Sequence, residues 1–172
     1  MSFILNIAAF QAGWWACVLG AAHGYPNAGA SVAIAIVAAN IAIAPQPRRE
    51  LALASVAVLA GALFENALAG SGWIRYDGSG VAIGMAPVWI VAMWPLFATT
   101  LNVSMRSLKS RPWLAAAVGL AGGPLAYYGG AKLGALYFDA PSAALAAIAI
   151  GWGILTPALL ASARRFDGYA RP

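Results

Sequence analysis

Residues 51–72 read LALASVAVLAGALFENALAGSG and carry a single charged side chain, Glu65. A helix needs about 20 consecutive apolar residues to cross a bilayer, and this stretch supplies them. A carboxylate inside such a run is costly, because it must be paired, protonated or hydrated. The stretch therefore predicts a membrane-spanning helix and marks Glu65 as the first residue to consider for function.

The composition extends this interpretation to the rest of the chain. Of 172 residues, 62% are hydrophobic and only 9% are charged, with a mean hydropathy of +0.78. A soluble domain is typically about 45–50% apolar and about 25% charged. A soluble fold would therefore lack the polar residues to cover its surface, and we expect lipid to be the solvent.

Apolar segments follow one another along the whole chain with short connections. We predict an all-α fold, a polytopic membrane helical bundle of about six transmembrane helices, with residues 1–172 forming a single six-helix domain. The predicted spans are Phe3–Ala22, Ala28–Ala44, Leu51–Gly72, Ala86–Met105, Trp113–Leu136 and Ser142–Ala163. The longest connection, Gly72–Met85, is rich in glycine, which is typical of a turn or a mobile flap.

The basic residues cluster on alternate connections, which predicts the orientation. The connections on the other side contain Arg75, and Lys132 lies at the end of the fifth segment. By the positive-inside rule the basic regions are cytoplasmic, which puts both termini in the cytoplasm. We therefore expect a multi-pass protein of the bacterial inner membrane, whose net charge of +5 reflects topology and lipid headgroups and not nucleic acid. The clustered bases are Arg48, Arg49, Arg106, Lys109, Arg111, Arg164, Arg165 and Arg171.

Titratable and polar residues concentrate in the outer half of the predicted bundle. At 1.5 Å per residue, Glu65 lies about 21 Å from the cytoplasmic end of its segment and Lys132 about 28 Å along the fifth. A carboxylate–ammonium pair would line an outward-facing pocket. Alternatively, Lys132 extends to the headgroups and Glu65 bonds to Asn66 and other helices. The predicted polar pocket comprises Glu65, Asn66, Lys132, His23, Tyr127 and Tyr128.

The fifth segment contains Gly122-Gly123-Pro124. Proline cannot donate its backbone nitrogen, so it should kink or break the helix, and broken helices in transporters place backbone dipoles at a substrate. The alternative is a kinked helix that packs tightly through small residues such as Gly119 and Gly123.

Four tryptophans lie deep within predicted spans. A buried indole needs a partner for its N–H, and several together could form the wall of a pocket for an acyl chain or a flat ligand. The alternative is that they serve only helix packing. These residues are Trp14, Trp15, Trp94 and Trp152.

Metal and nucleophile motifs are not apparent. Cys17 is the one cysteine, and no histidine, cysteine or carboxylate cluster has a metal-ligand spacing. We predict no metal site and no cofactor. Because no nucleophile–base pair is recognisable either, the sequence leaves open whether the protein is an enzyme and leans against it.

Segments four and five also carry specific motifs. Ala86-Pro87-Val88-Trp89, Met93-Trp94, the run Phe97–Asn102 and Gly122–Tyr127 stand out, with Asn6, Phe10 and Gln11 at the start of the chain. In these motifs the chain resembles a bacterial inner-membrane family known as domain of unknown function 2878. The resemblance implies an association with fatty-acid-modifying enzymes, such as relatives of cyclopropane fatty acid synthase. The family has an aspartate in segment three where this chain has Glu65.

Three functions remain open on these grounds. The first is a protein that binds a lipid or fatty acyl group, or assists its modification or transport, with membrane lipids as partners. The second is a small-solute transporter or its substrate-binding membrane subunit. The third is a structural accessory subunit that associates with other membrane-protein subunits.

Overall fold

In the computed structural model, residues 2–77 and 85–170 are described, and they form six α-helices. The helices are α1 (Phe3–Ala22), α2 (Pro26–Ile43), α3 (Pro47–Gly70), α4 (Val88–Leu101), α5 (Pro112–Lys132) and α6 (Pro141–Arg165). Four of them begin on a proline, which is favoured at the first helical position because its missing N–H would have no partner there. A short 3-10 helix, Arg106–Ser110, connects α4 to α5.

Two short strands, β1 (Ile74–Tyr76) and β2 (Leu136–Phe138), form an antiparallel pair with Arg75 opposite Tyr137. The pair joins the chain after α3 to the chain after α5, and an exposed Arg75–Asp139 ion pair of 2.7 Å flanks it. We call this end of the bundle the strand side. The opposite end, which contains the start of α1, the α2–α3 turn, the 3-10 helix and the end of α6, is the arginine side.

The short helix α4 forms the centre of the bundle. Ten of its 14 residues are buried, because α1, α2, α3 and α6 all contact it. In contrast, α1 packs mainly on α2 and α4, while α5 packs mainly on α6. As a result, α1 and α5 face each other with little direct packing between them.

A buried polar network closes the arginine side. Glu50, only 3% exposed, accepts hydrogen bonds from Asn102 Nδ2 (2.6 Å) and from the backbone N–H of Gly168 (2.9 Å). Asp167 forms ion pairs with Lys109 at 2.8 Å and Arg106 at 2.9 Å. The segment after α6 is thereby fixed against α3 and the end of α4.

The predicted all-α fold is confirmed, and the first predicted helix has the observed bounds. Two other predicted segments were too long. Helix α4 starts after Pro87 and ends at Leu101, because the chain then turns into the 3-10 helix. Helix α5 ends at Lys132, four residues early, because Gly134 adopts a left-handed conformation (φ 89°) and the chain continues as β2.

Four of the described helices, α1, α2, α3 and α6, are long and apolar enough to cross a membrane. Helix α4 is apolar but has 14 residues. The predicted Gly72–Met85 loop is described only at its two ends, since residues 78–84 lie outside the described ranges, as does the predicted basic residue Arg171.

Candidate functional site

A cavity of about 440 Å³ separates α1 from α5. Its back wall is α4, and α6 closes one side. Most of its lining is apolar and aromatic, with Phe10 and Trp14 from α1, Met93 and Phe97 from α4, and Trp152 from α6. Small-molecule sites are typically about 300–1,000 Å³ and largely apolar with a few polar groups, so this cavity has the dimensions and lining of a binding site.

Glu65 forms the polar end of the cavity, on α3 towards the strand side. The residue is completely buried and accepts three side-chain hydrogen bonds. Trp94 Nε1 donates to Oε1 at 2.8 Å, Tyr127 also donates to Oε1, and Tyr76 donates to Oε2 at 2.5 Å. Three donors thus compensate the carboxyl group without a cation.

Each donor comes from a different element. Tyr76 is carried by β1, whose pairing with β2 directs it into the bundle, and Tyr127 is carried by α5. Trp94 approaches α3 where Gly61 leaves room, since a Cβ at Gly61 would overlap the indole ring. Glu65 therefore joins α3, α4, α5 and the strand pair.

Trp152 extends the aromatic wall from Trp94. The two indoles stack with centroids 4.7 Å apart and an interplanar angle of 25°, and Phe97 meets Trp152 edge-on at 5.1 Å. The Trp152 N–H lies toward the Tyr127 hydroxyl without forming a hydrogen bond of normal geometry, and the buried Thr156 hydroxyl also has no partner. The cavity therefore contains polar groups that the described residues do not satisfy.

Gln11 is the polar lining residue contributed by α1. It is exposed, and its side-chain amide makes no hydrogen bond to the residues that the structure describes. Trp14 lines the cavity beside it. In contrast, Trp15 is 45% exposed and packs edge-to-face with Trp14, with ring centroids 5.1 Å apart. Of the four predicted wall tryptophans, Trp14, Trp94 and Trp152 line the cavity and Trp15 does not.

The structure does not bring Glu65 and Lys132 together and agrees instead with the alternative, in which Lys132 extends outward and Glu65 bonds to other helices. Lys132 is exposed and lies 5.2 Å from the ring centroid of Tyr128, which is itself half exposed. The Lys132 side chain follows the end of α5 outward, so tyrosine and tryptophan donors take the place predicted for it at Glu65.

His23 and Asn66 are also outside the cavity. His23 is exposed at the end of α1, where its Nδ1 contacts the Leu19 carbonyl at 2.8 Å. Asn66 donates to the Ala62 carbonyl at 2.7 Å and accepts from the Ala86 N–H at 3.1 Å. It thereby fixes the chain that leads into α4. Of the six residues of the predicted polar pocket, Glu65 and Tyr127 line the cavity, while Lys132 and Tyr128 contact each other outside it.

The predicted break at Gly122-Gly123-Pro124 is not present, because α5 is continuous from Pro112 to Lys132. A proline inside a helix removes only one backbone hydrogen bond, and neighbouring helices can accommodate the loss. Instead, Gly123 lies against the Trp152 ring, and Gly122 lines the cavity with no atom within 4 Å of the position its Cβ would occupy.

Several site residues were missed by reasoning from the sequence. Tyr76 lies in the predicted Gly72–Met85 loop, and Trp89, Gln11 and Thr156 were not among the predicted site residues. In the structure Trp89 is 1% exposed and donates to the Asp77 carbonyl at 3.3 Å. The signal available for Tyr76 was a tyrosine in the longest predicted loop, close in the sequence to the acid of the preceding span.

The charge distribution limits what the cavity can bind. Its lining includes the Glu65 carboxyl but no lysine, arginine or histidine. Within residues 2–77 and 85–170, no three histidine, cysteine or acidic side chains are grouped so that they could hold a metal ion. The cavity therefore suits an apolar molecule that has, at most, a few uncharged polar groups.

The fold and site define an apolar helical bundle with a carboxyl-ended cavity between two helices. The family model described as "Protein of unknown function (DUF2878)" matches residues 3–158, which is nearly the whole chain. The chain belongs to this family, as its sequence motifs indicated. No curated protein and no solved structure matches it.

Proposed function

We propose that this is a multi-pass protein of the bacterial inner membrane, in which all six helices cross the bilayer and the arginine side is cytoplasmic. Helix α5 has 21 residues and is about 31 Å long, close to the thickness of the hydrocarbon core. Its outward residues include Leu114 and Leu120, which are exposed and suit lipid. Helix α4, about 21 Å long, is enclosed by other helices and needs less length.

The orientation is tested by single-cysteine labelling in intact cells of a Cys17→Ala background. A cysteine replacing Ser110 should be protected from a membrane-impermeant maleimide until the cells are opened, and one replacing Gly24 should react at once. The reverse pattern would contradict the proposed orientation, and equal reactivity would contradict an odd number of crossings between the two sites.

We further propose that the cavity binds the acyl chain of a lipid or a lipid precursor, for storage, presentation or modification by a partner enzyme. The supporting observation is the location of the cavity between α1 and α5, two helices that scarcely pack together, with an aromatic lining and one polar end. A chain could enter sideways from the bilayer between these helices. A small polar solute would find few partners here, which disfavours the transporter alternative.

Gly122 offers a sharp test, because a side chain there would enter the cavity without meeting packed atoms. We expect Gly122→Phe to abolish lipid retention in native mass spectrometry of the protein purified in mild detergent. Ala121→Phe is the matched control, since Ala121 is exposed on the same helix and does not line the cavity. It should retain lipid as the wild type does.

The possible outcomes separate the remaining functions. Lipid retained equally by both variants would exclude the cavity as the acyl site. A bound small polar metabolite in place of lipid would favour the transporter. A stoichiometric protein partner with no lipid in the cavity would favour the accessory subunit.

A further inference from the structure

We infer that the ligand is an uncharged long-chain compound that carries oxygen, either an alcohol or an ester, and that Gln11 forms a hydrogen bond with this oxygen. The inference rests on the proposed acyl-binding function and narrows its ligand class. It excludes the ionised free fatty acid and the phosphate of a phospholipid headgroup from the cavity itself.

The cations of the strand side are not available to a ligand, since Lys132 lies over Tyr128 and Arg75 pairs with Asp139 on the surface. An anionic group in the cavity would therefore lose its hydration without gaining a cation, which is strongly unfavourable. The Glu65 carboxyl group at the end of the cavity supplies no positive charge that would compensate an anion.

Glu65 has little remaining capacity to bind a ligand. Its Oε1 already accepts two hydrogen bonds and its Oε2 one, and the residue is completely buried. It is not available as the main contact for a ligand oxygen. Its role is to hold the tyrosine and tryptophan donors in place, so the ligand must be recognised elsewhere.

Gln11 is the residue that can contact the ligand. It lies eight residues after Phe3 on α1, so it is about 12 Å from the arginine-side end of the helix. In a bilayer this depth is well inside the hydrocarbon, where an unpaired polar group is strongly unfavourable. An amide both donates and accepts, so it matches a hydroxyl group or an ester carbonyl.

Thr156 lies at the same depth on α6. It is nine residues before Arg165, or about 13 Å from the arginine-side end of that helix, and its hydroxyl has no partner. Both residues line the same cavity. Two unsatisfied polar groups at one level, between apolar surfaces, are arranged as expected for a ligand with one uncharged polar group.

The test uses brominated chains, because bromine quenches nearby indoles and Trp14, Trp94 and Trp152 surround the cavity. Bromohexadecanol, methyl bromopalmitate and bromopalmitate are titrated against the purified full-length protein in detergent at alkaline pH, where the acid is ionised. We expect the alcohol and the ester to bind at least tenfold more tightly than the acid. Gln11→Leu should weaken alcohol binding about five- to tenfold, the effect of one lost hydrogen bond.

Ala12→Leu is the control, since Ala12 is the exposed neighbour that does not line the cavity, and it should leave all three affinities unchanged. Equal or tighter binding of the acid would overturn the inference while leaving acyl binding intact. No quenching by any of the three would overturn both proposals. If Gln11→Leu spares alcohol binding but converts a dimer to a monomer, Gln11 pairs with a second copy of the chain and not with a ligand.

Discussion

Replacing Glu65 tests whether a cation-free carboxyl organises the bundle. Glu65→Leu removes the acceptor but keeps most of the volume, leaving the Trp94 N–H and the Tyr76 and Tyr127 hydroxyls without their partner. Glu65→Gln keeps an oxygen at the Oε1 position for Trp94 and Tyr127. Its amide N–H can donate to the Tyr76 hydroxyl, which can act as an acceptor.

The expected magnitudes follow from these contacts. Each buried donor that loses its partner costs about 1–3 kcal/mol, so Glu65→Leu should lower the free energy of unfolding by about 3–9 kcal/mol. Glu65→Gln exchanges hydrogen bonds to a carboxyl for weaker neutral ones and should cost about 1–3 kcal/mol. Because whole proteins are stable by about 5–15 kcal/mol, the leucine variant should approach the limit of folding.

Thermal unfolding in detergent, followed by circular dichroism, provides the measurement. At about 2–4 °C per kcal/mol, Glu65→Leu should lower Tm by at least about 6 °C and considerably more than Glu65→Gln. Lys132→Met is the control and should change the free energy of unfolding by no more than about 0.5 kcal/mol, because Lys132 is exposed and remote from Glu65. The reasoning is refuted if Glu65→Leu is as stable as the wild type, or if Lys132→Met matches its effect.

Three further predictions concern the arginine side and the cavity. A Cβ in Gly168→Ala would overlap the Glu50 side chain, so the C-terminal segment should detach and its amides should exchange with deuterium faster, with α1 exchange unchanged. Burial alone would raise the pKa of Asp167, but hydrogen bonding and charge from Lys109 outweigh it and lower that pKa. Asp167 therefore stabilises the folded state above its unfolded pKa of about 4, and this contribution is lost as pH falls through its lower pKa in the folded state. Because Lys109→Met removes a cause of the lowered pKa, this variant should show a weaker decrease of Tm at acid pH. Thr156→Val removes an unpartnered buried hydroxyl and should keep or raise Tm in lipid-free detergent, and a fall of several degrees would indicate a hydrogen bond there.

The helical fold could be predicted because its causes are local in the sequence. A run of apolar residues that follows a proline predicts a helix whatever its tertiary contacts are. Four of the helices begin in this way, at Pro26, Pro47, Pro112 and Pro141. The ends were harder to predict. Helix α5 stops early because β2 pairs with β1, which lies about 60 residues earlier in the sequence, and no local signal reports such a pairing.

The site was predicted only in part, because the cost of burying a polar group is visible in the sequence but its partner is not. Glu65 was identified since a carboxylate in an apolar run always needs compensation. Charge complementarity suggested Lys132, yet the lysine is the last residue of α5, where it is exposed and lies over the Tyr128 ring. Glu50 was missed because it lies beside Arg48 and Arg49 in the sequence and therefore resembles a surface residue. In the fold it is buried and accepts hydrogen bonds from Asn102 and Gly168.

The glycines of α5 permit close helix packing on one face of the helix and leave a cavity on the next. Gly119 and Gly123 are four residues apart, on one face, and a Cβ at either would collide with Trp152 on α6. This close approach fixes α5 to α6, which leaves it free of α1. Gly122 lies on the next face of the helix, and no atom lies within 4 Å of the position its Cβ would occupy. The tight packing of α5 against α6 therefore also leaves room for the cavity beside it. Filling the cavity at Gly122 should therefore spare the fold, whereas Gly123→Phe should separate α5 from α6 and destabilise the whole protein.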